Sequence, residues 1–331
     1  MAIFAVATAA EPNLILQSMR AGANEFFAWN NAEGSQAARD MEESFHGAVR
    51  RSAARREAAS ASGKPPCVTH VFLGAKGGAG TTTVAVNCGV ELARLSKRPT
   101  VIIDLKPGLG EVALFLGIRP RYSILDAIDN LHRLDREFLK ELVVKHKSGL
   151  EILAGSDNFD RPGAADGNAI EELFRLLTRQ YEYLVVDAGS QINSCTVAAL
   201  YAADRMFLIA NPDVPSVRNA QRLLERVREL GASGDRVRVL LNRAAEPYPI
   251  PPKQIETALG HPIHHMFPSD YKTVSTALNS GVPLALSGDS IIATNFDQFT
   301  RSVMDPGGAS APAAAPKKKS PLGLDRIASL W

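Results

Sequence analysis

Three cysteines in 331 residues, Cys67, Cys88 and Cys195, form no C-x-x-C pair and are odd in number. That excludes a disulfide framework and a thiolate zinc site, and predicts reduced, mostly buried thiols in a cytoplasm. No stretch approaches the roughly 20 apolar residues that cross a bilayer, and the start carries no basic region followed by an apolar core and a cleavage site. Excess charge is missing as well. The 37 Lys and Arg set against 35 Asp and Glu leave a formal net charge of +2, too little for the field of a nucleic-acid binder, so specific nucleic-acid recognition is not expected. The absence that bears on chemistry is a single lysine. The run Phe72-Leu73-Gly74-Ala75-Lys76-Gly77-Gly78-Ala79-Gly80-Thr81-Thr82-Thr83 has the form of a phosphate-binding loop, G-x-x-x-x-G-K-[ST], without the lysine that reaches the outer phosphates.

Aligned on Gly80, Ala75 stands at the first glycine and Thr81 at the lysine, while Thr82 keeps the metal-binding hydroxyl. Lys76 supplies positive charge at the start of the loop instead of its end. The loop follows the apolar run ending at Leu73 and precedes the helical run Thr82 to Leu95, the strand-to-helix context the motif needs. A helix N-terminus with unpaired N–H groups binds anions without any lysine, so residues 75–83 are the expected nucleotide cradle.

From Val68 to about Met304, short β-branched runs alternate with helical segments, which predicts an α/β fold, a doubly wound and mainly parallel sheet. The expected strands are Val68–Leu73, Thr100–Asp104, Leu150–Leu153, Tyr183–Asp187, Arg205–Ala210 and Arg236–Leu241. Ser123 with Asp126, and Asn168 with Glu171, have capping-box spacing and mark helix starts. Asp104 and Asp187 each end an apolar strand, where doubly wound folds open their ligand crevice. A lone aspartate there often caps a helix; two of them can hold Mg²⁺ through an oxygen or a bound water.

As a set, Lys76-Gly77-Gly78-Ala79-Gly80 with Thr82, Val101-Ile102-Ile103-Asp104-Leu105 with Gly108 to Gly117, and Tyr183-Leu184-Val185-Val186-Asp187 resemble the deviant-Walker P-loop ATPases of the ParA/MinD superfamily. With Val214 to Ala220, Leu240-Leu241-Asn242-Arg243 and Pro268 to Val274, the likeness is to the CpaE/TadZ type of Flp/Tad pilus-assembly protein, and it spans roughly 68–304. The resemblance implies ATP or ADP with Mg²⁺ as cofactors, and a homodimer closed through the nucleotide face. It implies that Lys76 reaches the partner's phosphates, that Thr82, Asp104 and Asp187 serve the metal, with Lys76, Asp104 and Asp187 as the catalytic set, and that Asn242, with Arg243 beside it, contacts the adenine. Two departures bear on turnover. Thr81 removes charge that the transition state needs, and Lys106 stands where relatives place a second, water-orienting aspartate. Binding is expected to survive better than hydrolysis, which is expected to be slow or absent.

Four segments are expected: 1–62, a linker at 63–67, the P-loop domain at 68–304, and a tail at 305–331. Glu11 to Phe27 resembles the latter half of a response-regulator receiver. The strands for its phosphoacceptor would precede Met1, and Trp29-Asn30 replaces the usual Lys-Pro, so either the start is internal or the domain has shrunk to a docking piece. Residues 36–60 read as a helix whose Arg50, Arg51, Arg55 and Arg56 form a solvated face diluted by nearby glutamates. His261, His264 and His265 read as loop histidines, since Pro262 breaks any helical ligand face. Lys317-Lys318-Lys319 followed by Leu322, Leu324, Ile327, Leu330 and Trp331 forms a short basic amphipathic tip, for peripheral contact with the inner membrane or for docking on protein. The function expected is a nucleotide-responsive positioning or assembly factor that meets pilus or secretion apparatus proteins at the cytoplasmic face of the inner membrane or the cell pole. The alternatives are a nucleotide-free scaffold and a DNA-partition ATPase.

Overall fold

Short apolar runs, most of them near-continuous as befits strands buried on both faces, become the strands of one sheet: β3 (Val68–Gly74), β4 (Thr100–Asp104), β5 (Val144–Lys145), β6 (Glu151–Leu153), β7 (Tyr183–Asp187), β8 (Arg205–Ala210), β9 (Val237–Ala244) and β10 (Ile263–Pro268). A computed structural model describes residues 4–7, 25–28, 67–106, 110–156, 167–229, 236–288 and 290–304. The strand order is β10-β9-β8-β3-β7-β4-β6-β5, parallel throughout except for the β5–β6 edge. A separate parallel pair joins β1 (Phe4–Ala7) to β2 (Glu25–Ala28), with Phe4 opposite Glu25. The helix read at 36–60, the linker up to residue 66 and the tail from 305 lie outside the described residues.

Alternate side chains of each buried strand point to opposite faces, and both faces are covered. On one, Val71, Leu73, Val101, Ile103, Leu184 and Val186 pack under α5 (Gly167–Leu177), α6 (Ser194–Ala202), α7 (Val214–Glu229) and α8 (Pro252–Leu259). On the other, Phe72, Ile102, Val185 and Phe207 pack under α1 (Thr81–Ser96) and α10 (Ile291–Met304). Phe72 stacks on Phe207 at 4.8 Å, and Phe207 meets the edge of Phe299 on α10 at 5.3 Å. Truncating one of these fully buried rings to Ala would cost about 3–5 kcal/mol. The remaining helices are α2 (Val112–Phe115), α3 (Ile124–Asp129), α4 (Arg136–Leu142) and α9 (Tyr271–Ser280). The doubly wound, mainly parallel α/β architecture expected from the alternation is the one observed.

Local chemistry decides the differences from the sequence reading. Ser123 does cap: the Asp126 carboxylate accepts from its N–H at 2.7 Å and its hydroxyl at 2.8 Å. Asn168 does not, because α5 already begins at Gly167 and Asn168 lies in its first turn. Strand β9 runs on to Ala244, so Asn242 and Arg243 belong to the strand instead of following it. His264 and His265 are not loop residues but part of edge strand β10, which accommodates a proline at its end and register shifts along its length. His265 Nε2 pairs with Asn295 Oδ1 at 2.9 Å and its ring packs on Phe267 and Phe299, so it is a packing residue. Cys88 is buried, Cys67 and Cys195 are partly so, and none of the three forms a disulfide.

Candidate functional site

Strand β3 has β7 on one side and β8 on the other, which makes its C-terminal end a switch point where successive crossovers diverge and a crevice opens. Residues 75–80 fill that end and lead into α1. Gly74 N–H donates to the Gly189 carbonyl at 2.7 Å, and Ala75 N–H to the Ile209 carbonyl at 2.8 Å. The loop is thus anchored to both neighbouring strand ends. Ala75 lies in the core with its N–H committed to β8, so among the expected cradle residues it is turned from the ligand side. Lys76, Gly77, Gly78 and Gly80 reach the surface while Ala79 is buried. The first turn of α1, from Thr81, leaves backbone N–H groups free of intrahelical partners beside the loop.

Two residues of β9 fasten the loop from above. Asn242 Nδ2 donates to the Ala79 carbonyl at 2.8 Å, and the Arg243 guanidinium to the Gly78 carbonyl at 3.1 Å. Asn242 Oδ1 accepts from the Arg243 N–H at 2.9 Å, and Arg243 sits at φ +57°. Gly80, at φ +96°, lies so close under Asn242 that a Cβ there would overlap the amide nitrogen. Thr81, at the place of the missing lysine, is buried and turns its hydroxyl back against Gly74. It therefore offers no substitute for the lysine.

Below the loop, Thr82 Oγ1 donates to Asp187 Oδ2 at 2.5 Å, and Asp187 Oδ1 accepts from the Gly189 N–H at 3.1 Å. Asp104 is the register partner of Asp187 on the adjacent strand. Its carboxylate accepts from the backbone N–H groups of Lys106 (3.0 Å), Glu111 (2.8 Å) and Val112 (3.0 Å), so it also organises the turn into α2. Both aspartates are buried. Burial, and then the charge of Asp187, pushes Asp104 up to about 7, against the three backbone donors. Burial likewise holds Asp187 above the ordinary carboxylate range despite its Thr82 and Gly189 donors. Two facing buried carboxylates with a hydroxyl between strand and helix suit a small divalent cation that completes its shell with phosphate and water, the donor set Mg²⁺ takes. Among the described residues no group of three or more His, Cys, Asp or Glu forms an all-protein metal cage.

Sequence reasoning missed two carboxylates of the site, Asp213 and Glu111. Lys76 Nζ forms a 2.8 Å ion pair with Asp213, just before α7. Partial burial would raise the Asp213 carboxyl. The Lys76 hydrogen bond, the Ser216 N–H and the charges of Lys76 and Arg243 hold it below the ordinary range instead. Lys106 pairs with Glu111 at 2.5 Å. The 137-residue separation of Lys76 and Asp213 belongs to no motif, and only the crossovers bring that pair together; Lys106 and Glu111 meet within the single connection between β4 and α2. Thr83 faces away from the loop, into a shallow groove with Asn87, Phe115 and Ala277.

A family model described as an AAA domain matches residues 69–237. A relative from Nephroselmis olivacea, a putative septum site-determining protein MinD, is 30% identical over 230 residues, covering 66% of this chain and 80% of its own. Among solved structures, a ParA family ATPase from Chlorobium tepidum TLS superposes with a TM-score of 0.68 at 24% identity, covering 71% of this chain and 98% of its own. The septum site-determining protein MinD of Pyrococcus horikoshii OT3, solved in complex with Mg-ADP, superposes with a TM-score of 0.61 at 20% identity, covering 72% and 95%. No helix of the described residues is long and apolar enough to cross a membrane.

Proposed function

The chain belongs to the ParA/MinD family of P-loop ATPases, and from that premise we propose that it is an ATP- and ADP-binding switch, weakly hydrolysing or non-hydrolysing, that positions or assembles other proteins. The backbone N–H groups of 76–82 would wrap the phosphates, and Thr82 with Asp187 would hold Mg²⁺, with Asp104 as the supporting charge. The observation that carries the reading is the Thr82–Asp187 hydrogen bond of 2.5 Å, which sets hydroxyl and carboxylate side by side under a glycine loop at a helix N-terminus. The bound Mg-ADP of the Pyrococcus horikoshii relative supports the choice of cofactor. Asn242, with its amide engaged to the loop and to its own strand, would brace the cradle as well as face the base. Hydrolysis would be slow because Thr81 brings no charge and Lys106, as an ammonium, accepts no proton.

In this reading ATP closes a homodimer face to face, with Lys76 leaving Asp213 for the partner's phosphates, and the paired surface recruits partners. The machine served is a Flp/Tad-type pilus or secretion apparatus at the inner membrane. Support for that narrower step is the set of motifs shared with the CpaE/TadZ type and the parallel β1–β2 pair that accompanies the receiver-like sequence. A second reading, division-site positioning, is favoured by the name of the Nephroselmis relative.

Equilibrium titration of the full chain with a fluorescent ATP analogue and Mg²⁺ tests the switch. Saturable binding that weakens on chelating the metal is expected, and no saturation at millimolar nucleotide would remove the switch in favour of a constitutive scaffold. Deleting the gene separates the two cellular readings. Loss of pili with normal division supports the first, and misplaced septa with intact pili support the second.

A further inference from the structure

We propose that Lys106 binds the outermost phosphate of ATP and supplies, from the neighbouring crossover, the charge that the loop lost at Thr81. This rests on the nucleotide reading above. Asp104 and Asp187 are paired in register, and Leu105 N–H donates to the Asp187 carbonyl at 2.9 Å. The chain at 105–106 therefore runs beside Ala188 and Gly189. The stem of Lys106 lies over Gly189, where an added Cβ would meet the lysine Cγ at 3.7 Å, and the Gly189 carbonyl is the one that anchors Gly74 at the root of the loop. Only β7 separates β4 from β3. With strands about 4.8 Å apart, Lys106 stands about 10 Å across the sheet from the loop root, and a flexible four-carbon stem spans much of that gap.

Thr82 and Asp187 would hold the Mg²⁺ that accompanies the nucleotide, and because Asp187 ends β7, the neighbour of β4, phosphate oxygens drawn to that cation would come to the side of the loop on which Lys106 stands. In the structure the ammonium is occupied by Glu111, but both side chains are open to solvent, at 33% and 38% exposure, and such a pair is weakly held. A phosphate oxygen of higher charge can displace Glu111, whose backbone stays fixed because its N–H remains on Asp104. Glu111 is then a competitor for the lysine and Lys106 a reader of the third phosphate, since ADP has nothing at that position.

The test compares the affinities of the full chain for a non-hydrolysable ATP analogue and for ADP, both with Mg²⁺. Lys106→Ala is expected to weaken the analogue about tenfold, the loss of one charge-assisted hydrogen bond, and ADP less than about twofold. Glu111→Gln, which removes the competitor and keeps the shape, is expected to tighten the analogue and leave ADP unchanged. Opposite signs for the two variants separate a phosphate contact from a merely structural ion pair, whose loss by either route would act in the same direction. An unchanged analogue-to-ADP ratio in Lys106→Ala overturns this inference alone; failure of the unmodified chain to bind either nucleotide overturns it together with the nucleotide reading.

Discussion

At the scale of single residues the sheet carries one conspicuous anomaly, His70 at the centre of β3. It is fully buried between Tyr183 and Phe207, and neither ring nitrogen has a hydrogen-bond partner. Burial, and then the charge of Arg205, lowers it to about 3. In the unfolded chain the same ring takes its proton near 6.5. Between those values the unfolded state binds more protons, so the stability that neutral His70 allows is complete above 6.5 and drains away as pH falls. The slope from this group is about 1.4 kcal/mol per pH unit, or about 2 kcal/mol between about pH 7 and 5. Urea midpoints at those two pH values should therefore separate more in the parent than in His70→Phe, which also relieves two unpaired buried nitrogens; an equal separation would refute the assignment. The sequence offered no hint, because a histidine inside an apolar run looks the same whether its nitrogens are paired or orphaned.

Among the elements, the loop and the strand that clamps it, β9, act as one device. Gly80 combines a left-handed φ with contact against Asn242, and Asn242 and Arg243 hold the carbonyls of Ala79 and Gly78. An alanine at position 80 meets both constraints. The left-handed conformation alone costs about 1–2 kcal/mol, and the overlap must push either the loop or β9. Gly80→Ala is expected to lower the thermal midpoint by several degrees and to weaken nucleotide at least about tenfold. A variant of unchanged stability and affinity would show that the cradle tolerates a looser loop. The glycine was legible from its motif. Its second reason was not, because Asn242 lies 163 residues from the loop carbonyl it holds and reaches the loop only when β9 extends past Leu241.

For the whole molecule, the ion pair on Lys76 governs how the nucleotide face would meet a second copy. Lys76 is held by Asp213 within its own chain, so a dimer that uses Lys76 across the interface must first break that pair. Lys76→Ala is expected to abolish ATP-dependent dimerisation in sedimentation velocity, and Asp213→Asn to shift it to lower ATP concentration. Dimerisation that persists unchanged in Lys76→Ala would sink the role given to that lysine. The pair is about one-third exposed on each side, and exposed pairs contribute little stability, so neither variant should unfold the protein.

Architecture, and where a candidate site would lie, follow from the order of residues along the chain. Alternating β-branched runs and helical segments permit few arrangements other than a doubly wound parallel sheet, and a glycine loop between strand and helix, with aspartates at Asp104 and Asp187, marks the crevice, because these signals are local and periodic. What the charges do was left to the folded arrangement. That Lys76 rests on Asp213 and that Asn242 braces Ala79 depend on which strand ends the crossovers bring side by side, while the turn of Thr81 under the loop and the Lys106–Glu111 pair depend on the folded course of single connections. Electrostatic partnership is a matter of ångströms in space, and strand order, which sets those distances, is not written in the spacing of residues along the chain.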